Sequence, residues 1–66
     1  MQNKIKTERV RLNLTQEDLA QQTGVSRQSI NAIESNKYTP STILALKIAR
    51  VLGRSVEDLF ELEEGD

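Results

Sequence analysis

The apolar positions of the chain recur at helical spacing in short blocks that are separated by turn-forming residues. In the first block, Ile5 and Leu12 lie seven positions apart, and the charged Arg9 lies between them. The clearest block covers residues 44–52, where apolar residues recur at i, i+1, i+4, i+5 and i+8. Residues three and four positions apart share one face of an α-helix. The pattern therefore predicts an all-α chain of short helices, each with one buried face.

Residues that cap helices stand at the boundaries of these blocks. Thr15 is followed by Asp18, and Ser55 by Asp58, at the capping-box spacing in which a hydroxyl and a later carboxylate accept hydrogen bonds from free backbone amides. Gly53 predicts a helix end, because glycine readily adopts the left-handed conformation that is common there. The five predicted helices cover approximately residues 4–12, 16–22, 27–35, 42–52 and 56–59.

The turn between the second and third predicted helices contains only three or four residues. Gly24 lies in this turn, and Ser26 is suited to cap the helix that follows. Two short helices joined in this way form the helix-turn-helix pattern, here at about residues 16–35, whose second helix enters the major groove of DNA. Many helical bundles contain such a turn, so the pattern alone also fits a purely structural role.

The third helix carries side chains of the types that read DNA bases. Ile30 and Ile33 form its apolar stripe. On another face, near the start of the helix, lie Arg27, Gln28 and Asn31. Arginine pairs with the O6 and N7 acceptors of guanine, and glutamine and asparagine pair with N6 and N7 of adenine. We therefore predict that these three residues contact bases. The alternative is an ordinary solvated face. The absence of acidic residues on this face argues against that alternative.

A charged residue borders the apolar stripe of the first helix, and another borders that of the third. Arg9 lies four residues after Ile5, and Glu34 lies four residues after Ile30. Burial of an unpaired charge is strongly unfavourable, whereas two opposite charges in contact compensate each other. We therefore expect an ion pair between Arg9 and Glu34 that holds the first helix against the third, which is a structural role.

From residue 9 to residue 59 the chain resembles the lambda repressor and Cro-like helix-turn-helix family, also called XRE-type regulators. The residues that carry the resemblance are Gln16 at the head of the motif, the small Ala20 where the two helices touch, Gly24 in the turn, and the apolar Ile30 and Ile33. Two positions depart from the family pattern. Glu8 stands where many relatives carry an apolar residue, and Asn13 stands where many carry glycine.

The resemblance implies a compact five-helix lambda repressor-like DNA-binding domain, a single domain over residues 1–66. Such regulators are usually homodimers and transcriptional repressors that bind near-palindromic operators in double-stranded DNA. In a chain of this length we expect no sensor domain and therefore no small-molecule effector. The resemblance also implies that Gln16 contacts a phosphate while bracing Gln28. The other implied phosphate contacts are Asn36 and Lys37, with Ser26 and Ser29 as weaker candidates.

The C-terminal segment is the predicted dimer interface. Between residues 56 and 62 the chain offers more apolar area than a short terminal helix buries within one domain. A two-fold dimer would let a second recognition helix reach the groove one turn away, about 34 Å along the duplex. The alternative is that these side chains close the core of the monomer. The residues concerned are Val56, Leu59, Phe60 and Leu62.

Composition narrows the possible functions. The 66 residues include no His, no Cys and no Trp. The chain therefore forms no disulfide, no thiolate or imidazole zinc site, and no nucleophile activated by a histidine base, and we expect no enzymatic activity, cofactor or metal. The chain begins with polar and charged residues and has no run of about 18 apolar residues, so we expect no signal peptide, no membrane span and a cytoplasmic location.

The net charge at first argues against a DNA partner. Nine basic and ten acidic residues give a formal charge of −1, whereas phosphate binding normally leaves a basic footprint. Six of the ten acidic residues, however, lie within residues 57–66, so residues 1–56 carry nine basic and four acidic residues, a balance of +5. Two alternatives stay open: the antitoxin of a toxin–antitoxin pair, and a helical protein-interaction module that does not bind DNA.

Overall fold

Five helices form in the order that the sequence predicts, with ends within one residue of the expected ones. The structure, a computed structural model, describes residues 1–66. Its helices are α1 (Ile5–Arg11), α2 (Gln16–Thr23), α3 (Arg27–Glu34), α4 (Thr42–Leu52) and α5 (Val56–Leu59). The longest helix, α4, has 11 residues, and none combines the length and hydropathy that crossing a bilayer requires.

The geometry of the caps explains why the helices begin where they do. Thr15 Oγ1 accepts a hydrogen bond from the backbone amide of Asp18 at 3.0 Å, and the Asp18 carboxylate accepts one from the amide of Thr15 at 2.9 Å. That amide hydrogen bond lowers the pKa of the Asp18 carboxyl, because it favours the charged form. Ser55 and Asp58 form the same box at the start of α5. Both predicted capping boxes are therefore confirmed.

The core collects apolar side chains from all five helices. The helix α2 packs against both α3 and α4, and α4 in turn packs against α1 and α5. Full burial of a Leu or Ile side chain stabilises a fold by about 1.5–3 kcal/mol, so these side chains supply most of the stabilisation. The core residues are Ile5, Leu19, Ala20, Ile30, Ile33, Leu44, Ile48, Ala49, Leu52 and Leu59.

Leu59 corrects the predicted dimer interface. Its side chain is only 1% exposed and lies in the core, so it cannot contact a second copy of the folded chain. Val56 and Phe60 are half-buried against the same core, whereas Leu62 is 77% exposed. The segment therefore closes the monomer core at Leu59 and keeps part of its apolar surface in solvent.

A short antiparallel ribbon joins the two ends of the chain, and the sequence does not predict it. Strand β1 (Gln2–Asn3) pairs with strand β2 (Phe60–Glu61), with Gln2 opposite Glu61 and Asn3 opposite Phe60. Two residues are too few to show the alternating pattern of a strand. The pairing depends instead on the helices bringing the ends together, and the fold stays otherwise all-α.

The two departures from the family pattern fit the fold without strain. Glu8 accepts hydrogen bonds from Arg11 Nε at 2.8 Å and from Arg54 Nε at 2.9 Å, so a charged cluster replaces apolar packing and ties α1 to the turn after α4. The hydrogen bonds from Arg54 and Arg11 lower the pKa of the Glu8 carboxyl. Asn13 adopts φ 58°, a left-handed conformation that asparagine tolerates better than most residues.

Candidate nucleic-acid interface

The first two turns of α3 present polar side chains to solvent. Ser26 Oγ accepts a hydrogen bond from the amide of Ser29 at 3.1 Å, which fixes the point where α3 begins. Arg27, Gln28 and Asn31 are exposed, and these three residues alone line a shallow cleft of about 170 Å³. The structure therefore brings the three predicted base-contacting residues together on one surface.

The opposite face of α3 fixes the direction in which this surface points. Ile30 and Ile33 are fully buried among side chains from the other helices. Rotation of α3 about its axis would expose both residues to water and bury the polar face without partners, which is unfavourable on both counts. The polar face is consequently held outward by the core and requires no ligand to orient it.

The ion pair expected between Arg9 and Glu34 is present. Arg9 Nε donates to Glu34 Oε2 at 2.8 Å, and a second guanidinium nitrogen donates to Glu34 Oε1 at 3.2 Å. The side chains of Arg9 and Glu34 are only 11% and 5% exposed. Arg9 also donates to the backbone carbonyl of Leu14 at 2.8 Å. This two-pronged contact joins α1, the loop after it and the end of α3.

Gln16, the first residue of α2, contacts α3 at a different place from the expected one. Its Nε2 donates to Glu34 Oε1 at 3.3 Å, and its Oε1 accepts from Asn31 Nδ2 at 3.4 Å. The resemblance implies a brace on Gln28, and this detail is wrong for the structure. Because Gln16 is anchored on Glu34, its amide lies beside Asn31, and Gln28 is one helical turn farther away.

The two serines near the start of α3 use their hydroxyl groups locally. Besides accepting from the amide of Ser29, Ser26 Oγ lies 3.0 Å from Ser29 Oγ, so the two hydroxyls share one hydrogen bond. Ser26 is exposed and Ser29 is half-buried. Each hydroxyl oxygen can make a further hydrogen bond, so the local contact leaves both able to meet a ligand.

The loop after α3 carries the last two predicted contact residues. Asn36 adopts φ 61°, and its Oδ1 accepts a hydrogen bond from Asn3 Nδ2 at 2.9 Å. The same Asn3 nitrogen donates to the carbonyl of Ile33 at 2.9 Å, so the β1 strand supports the end of α3. Sequence reasoning missed Asn3, because no local pattern marks a contact across 33 positions. Lys37 is exposed and makes no ion pair.

The charges of this surface suit an anionic ligand. Of the three paired arginines, only Arg9 lies here, and Arg27 and Lys37 are unpaired at opposite ends of α3. No group of three acidic side chains lies close enough together to hold a metal ion. Donors that can meet phosphate oxygens or base edges therefore dominate the surface.

A short helix, a tight turn at Gly24 and a second helix with an outward polar face define a helix-turn-helix domain. The chain belongs to the helix-turn-helix family of XRE and lambda repressor-like transcriptional regulators, since the family model described as Helix-turn-helix (HTH_3) matches residues 5–59. This is a family of DNA-binding regulators and not of enzymes, as the composition predicts. The resemblance drawn from the sequence is confirmed.

Several proteins are similar to this chain over most or all of its length. An uncharacterized HTH-type transcriptional regulator of Methanocaldococcus jannaschii is 54% identical over 66 residues and is covered completely, as is this chain. The uncharacterized HTH-type transcriptional regulator YgzD of Bacillus subtilis is 47% identical over 64 residues, which cover 97% of each chain. The crystal structure of a hypothetical transcription factor, NHTF from Neisseria, superposes with a TM-score of 0.76 at 28% identity, over 82% of this chain and 61% of that longer one.

Proposed function

We propose that the protein is a sequence-specific regulator of transcription that binds double-stranded DNA in the cytoplasm with α3 in the major groove. One observation carries the proposal: Arg27, Gln28 and Asn31 form a single exposed surface on a helix whose other face is locked in the core. These side-chain types supply the donors and acceptors that distinguish base pairs in the major groove. Arg27 and Gln28 lie in the first turn, where recognition helices meet base edges.

In this proposal, other residues of the surface position the domain on the DNA backbone. Gln16 keeps one amide hydrogen that is free for a phosphate oxygen, and Lys37 offers an unpaired ammonium group. Ser26 and Ser29 share one hydrogen bond, which leaves one hydroxyl hydrogen free to donate at the start of α3, and the amide of Asn36 adds a neutral donor after its end. Such contacts supply affinity and register but no sequence preference.

The proposed regulator acts as a homodimer on a near-palindromic operator. Support comes from an apolar groove of about 290 Å³ between α4 and the C-terminal segment. Leu46 at its edge is 57% exposed, and Val56 and Phe60 line it. A second copy of the chain would cover this surface, and a two-fold pair would present two α3 helices to successive major grooves. Binding over a promoter would then block transcription, which is the basis for proposing a repressor.

Selection of bound sequences from a random DNA pool tests the proposal. We expect the protein to enrich one motif with two related half-sites. Substitution Gln28→Ala should weaken binding to this motif by about 1–3 kcal/mol and relax the preference at particular base pairs, because a base contact is lost. Lys37→Ala should instead weaken binding to all sequences and lower the salt slope by about one, because a phosphate contact is lost.

Lys47→Ala is the matched control, since Lys47 is exposed on α4 and lies outside the proposed contact residues. An unchanged base preference in Gln28→Ala would refute the assignment of the recognition surface. A pool without any enriched motif would refute sequence-specific binding and favour the protein-interaction module. An antitoxin would enrich a motif and also bind a partner protein through the apolar groove.

A further inference from the structure

We propose that Gln16 is a positioning residue that fixes the orientation of the Asn31 amide, so that Asn31 selects adenine over guanine. The inference rests on the proposed function, in which α3 lies in the major groove. It is based on a continuous chain of side-chain contacts: Arg9 to Glu34 at 2.8 Å, Glu34 to Gln16 at 3.3 Å, and Gln16 to Asn31 at 3.4 Å.

The chemistry of each group dictates the direction of every hydrogen bond in this chain of contacts. A guanidinium group only donates and an ionised carboxylate only accepts, so the pair of Arg9 and Glu34 allows one arrangement. The carboxylate requires the NH₂ group of Gln16 to face it. The carbonyl oxygen of Gln16 therefore faces Asn31, and this oxygen requires the NH₂ group of Asn31 in return. The orientation of both amides therefore follows from the ion pair of Arg9 and Glu34 through the donor and acceptor types alone.

The ion pair at which this series of contacts begins is fixed, whereas Asn31, at which it ends, is free to meet a ligand. The side chains of Arg9 and Glu34 are almost buried, and Arg9 is held further by the carbonyl of Leu14 at 2.8 Å. Asn31, by contrast, is exposed, and its side chain makes no hydrogen bond other than the one to Gln16. An inflexible internal contact thus sets the orientation of a side chain on the surface.

The orientation of Asn31 determines which base it matches. Its Oδ1 acceptor and its second N–H donor point away from Gln16 and are free. Adenine presents an N6 donor and an N7 acceptor in the major groove, which complement this pair, whereas guanine presents two acceptors, O6 and N7. An inverted amide would offer two donors, which suit guanine. Gln16 disfavours the inverted amide, because the two carbonyl oxygens would then face each other without a hydrogen between them.

The test measures affinity for the enriched operator and for variants of it at one base pair. The base pair that faces Asn31 is the one at which Asn31→Ala abolishes the preference. We expect adenine to be preferred there by the unmodified protein and the ratio of affinities for adenine and guanine to fall about tenfold in Asn31→Ala. We expect Gln16→Ala to lower the same ratio by at least about threefold, because the Asn31 amide is then free to invert.

A double variant separates this role from a phosphate contact of Gln16. In the Asn31→Ala background, Gln16→Ala should leave the ratio of adenine to guanine affinities unchanged, while still lowering the affinity for both operators equally. Gln21→Ala, at an exposed glutamine of the same helix, is the control and should leave the ratio as it is. Thermal unfolding of each variant shows whether the fold is kept.

Three results would overturn the inference while leaving the proposed function in place. The base pair that depends on Asn31 could prefer a base other than adenine. Gln16→Ala could weaken binding to both operators equally in the otherwise unmodified protein. Gln16→Ala could still lower the ratio of adenine to guanine affinities in the Asn31→Ala background. In each case the unmodified protein would still select an operator, whereas a failure to enrich any sequence would refute the proposed function and the inference together.

Discussion

At the scale of single residues, the two charged clusters of the domain differ in how completely they are shielded from water. Arg9 and Glu34 are almost buried, and every contact they make is charge-assisted. Glu8 meets two arginines whose side chains are nearly half-exposed. Burial strengthens an ion pair and raises the penalty for removing one partner, whereas solvent weakens both effects. Removing one partner from the first cluster should therefore destabilise the fold more than removing one partner from the second.

The ion pair of Arg9 and Glu34 gives the first prediction. Arg9→Met and Glu34→Met should each lower the free energy of unfolding by about 2–4 kcal/mol, because each leaves a partly buried charge without its partner. The double variant should lose clearly less than the sum of the two, since it buries no unpaired charge. Urea unfolding of the four proteins measures the coupling. Additive losses would mean that the two residues do not stabilise the fold as a pair.

Glu8 gives a prediction about pH. Hydrogen bonds from Arg54 and Arg11 hold its pKa below the ordinary value of 4.5. The cluster therefore contributes its full stabilisation above pH 4.5, and this stabilisation is lost as the pH falls through the lower pKa of the folded state. Glu8→Gln should lower the melting temperature near pH 7, and the difference from the unmodified protein should shrink below pH 4.5. Glu17→Gln, at an exposed residue without an ion pair, is the control. A difference that is constant with pH would contradict the role of the Glu8 charge.

At the scale of helices, local signals were sufficient to predict the order and the ends of all five. Thr15 with Asp18 and Ser55 with Asp58 are capping boxes in which each partner is three residues from the other, so a short window contains the whole interaction. The sorting of apolar and polar residues around α3 was also local, and it identified both its buried stripe and its exposed polar surface.

Features that depend on tertiary contacts could not be predicted in the same way. The ribbon of β1 and β2 joins the two ends of the chain, and the contact between Asn3 and Asn36 spans 33 positions. On α3, Gln16 contacts Asn31 and not Gln28, because the position at which α2 packs along α3 determines which residue lies beside Gln16. Leu59 is apolar and lies near the end of the chain, which is why the sequence places it in an interface. In the fold, α5 packs against the core and buries it. Each of these needs the packing of helices to be known first.

The cap of α3 gives a prediction at this scale. Ser26→Ala should destabilise the fold by about 1 kcal/mol, because the amide of Ser29 loses its acceptor. Ser26→Asp should keep the stability, since aspartate caps helices equally well, yet it should weaken DNA binding because its charge repels phosphate. Comparison of melting temperature and operator affinity for the two variants separates the cap from the contact. Unchanged affinity in Ser26→Asp would place Ser26 outside the DNA interface.

At the scale of the whole molecule, the domain is small and most of its acidic residues are separated from its basic ones. Its principal extents are 32, 21 and 19 Å, so its longest dimension is comparable with the spacing of about 34 Å between successive major grooves. The acidic residues are concentrated in the last ten positions, where Glu63 and Asp66 contact the N-terminal ammonium of Met1 at 2.9 and 3.0 Å. That contact raises the pKa of the ammonium group and neutralises part of the acidic end.

The proposed homodimer gives the last prediction. An interface of standard size buries about 800 Å² on each partner, a modest share of the 4558 Å² surface of this chain. Leu46→Glu should place a charge in the apolar groove and convert a dimer into monomers, as measured by sedimentation equilibrium. Val10→Glu is the matched control, because Val10 on α1 is 56% exposed, close to the 57% of Leu46, and lies outside the groove.

Half-sites should still be bound by the monomeric variant, with much lower affinity, because the two recognition helices no longer bind as one unit. A dimer that survives Leu46→Glu would show that another surface joins the two copies.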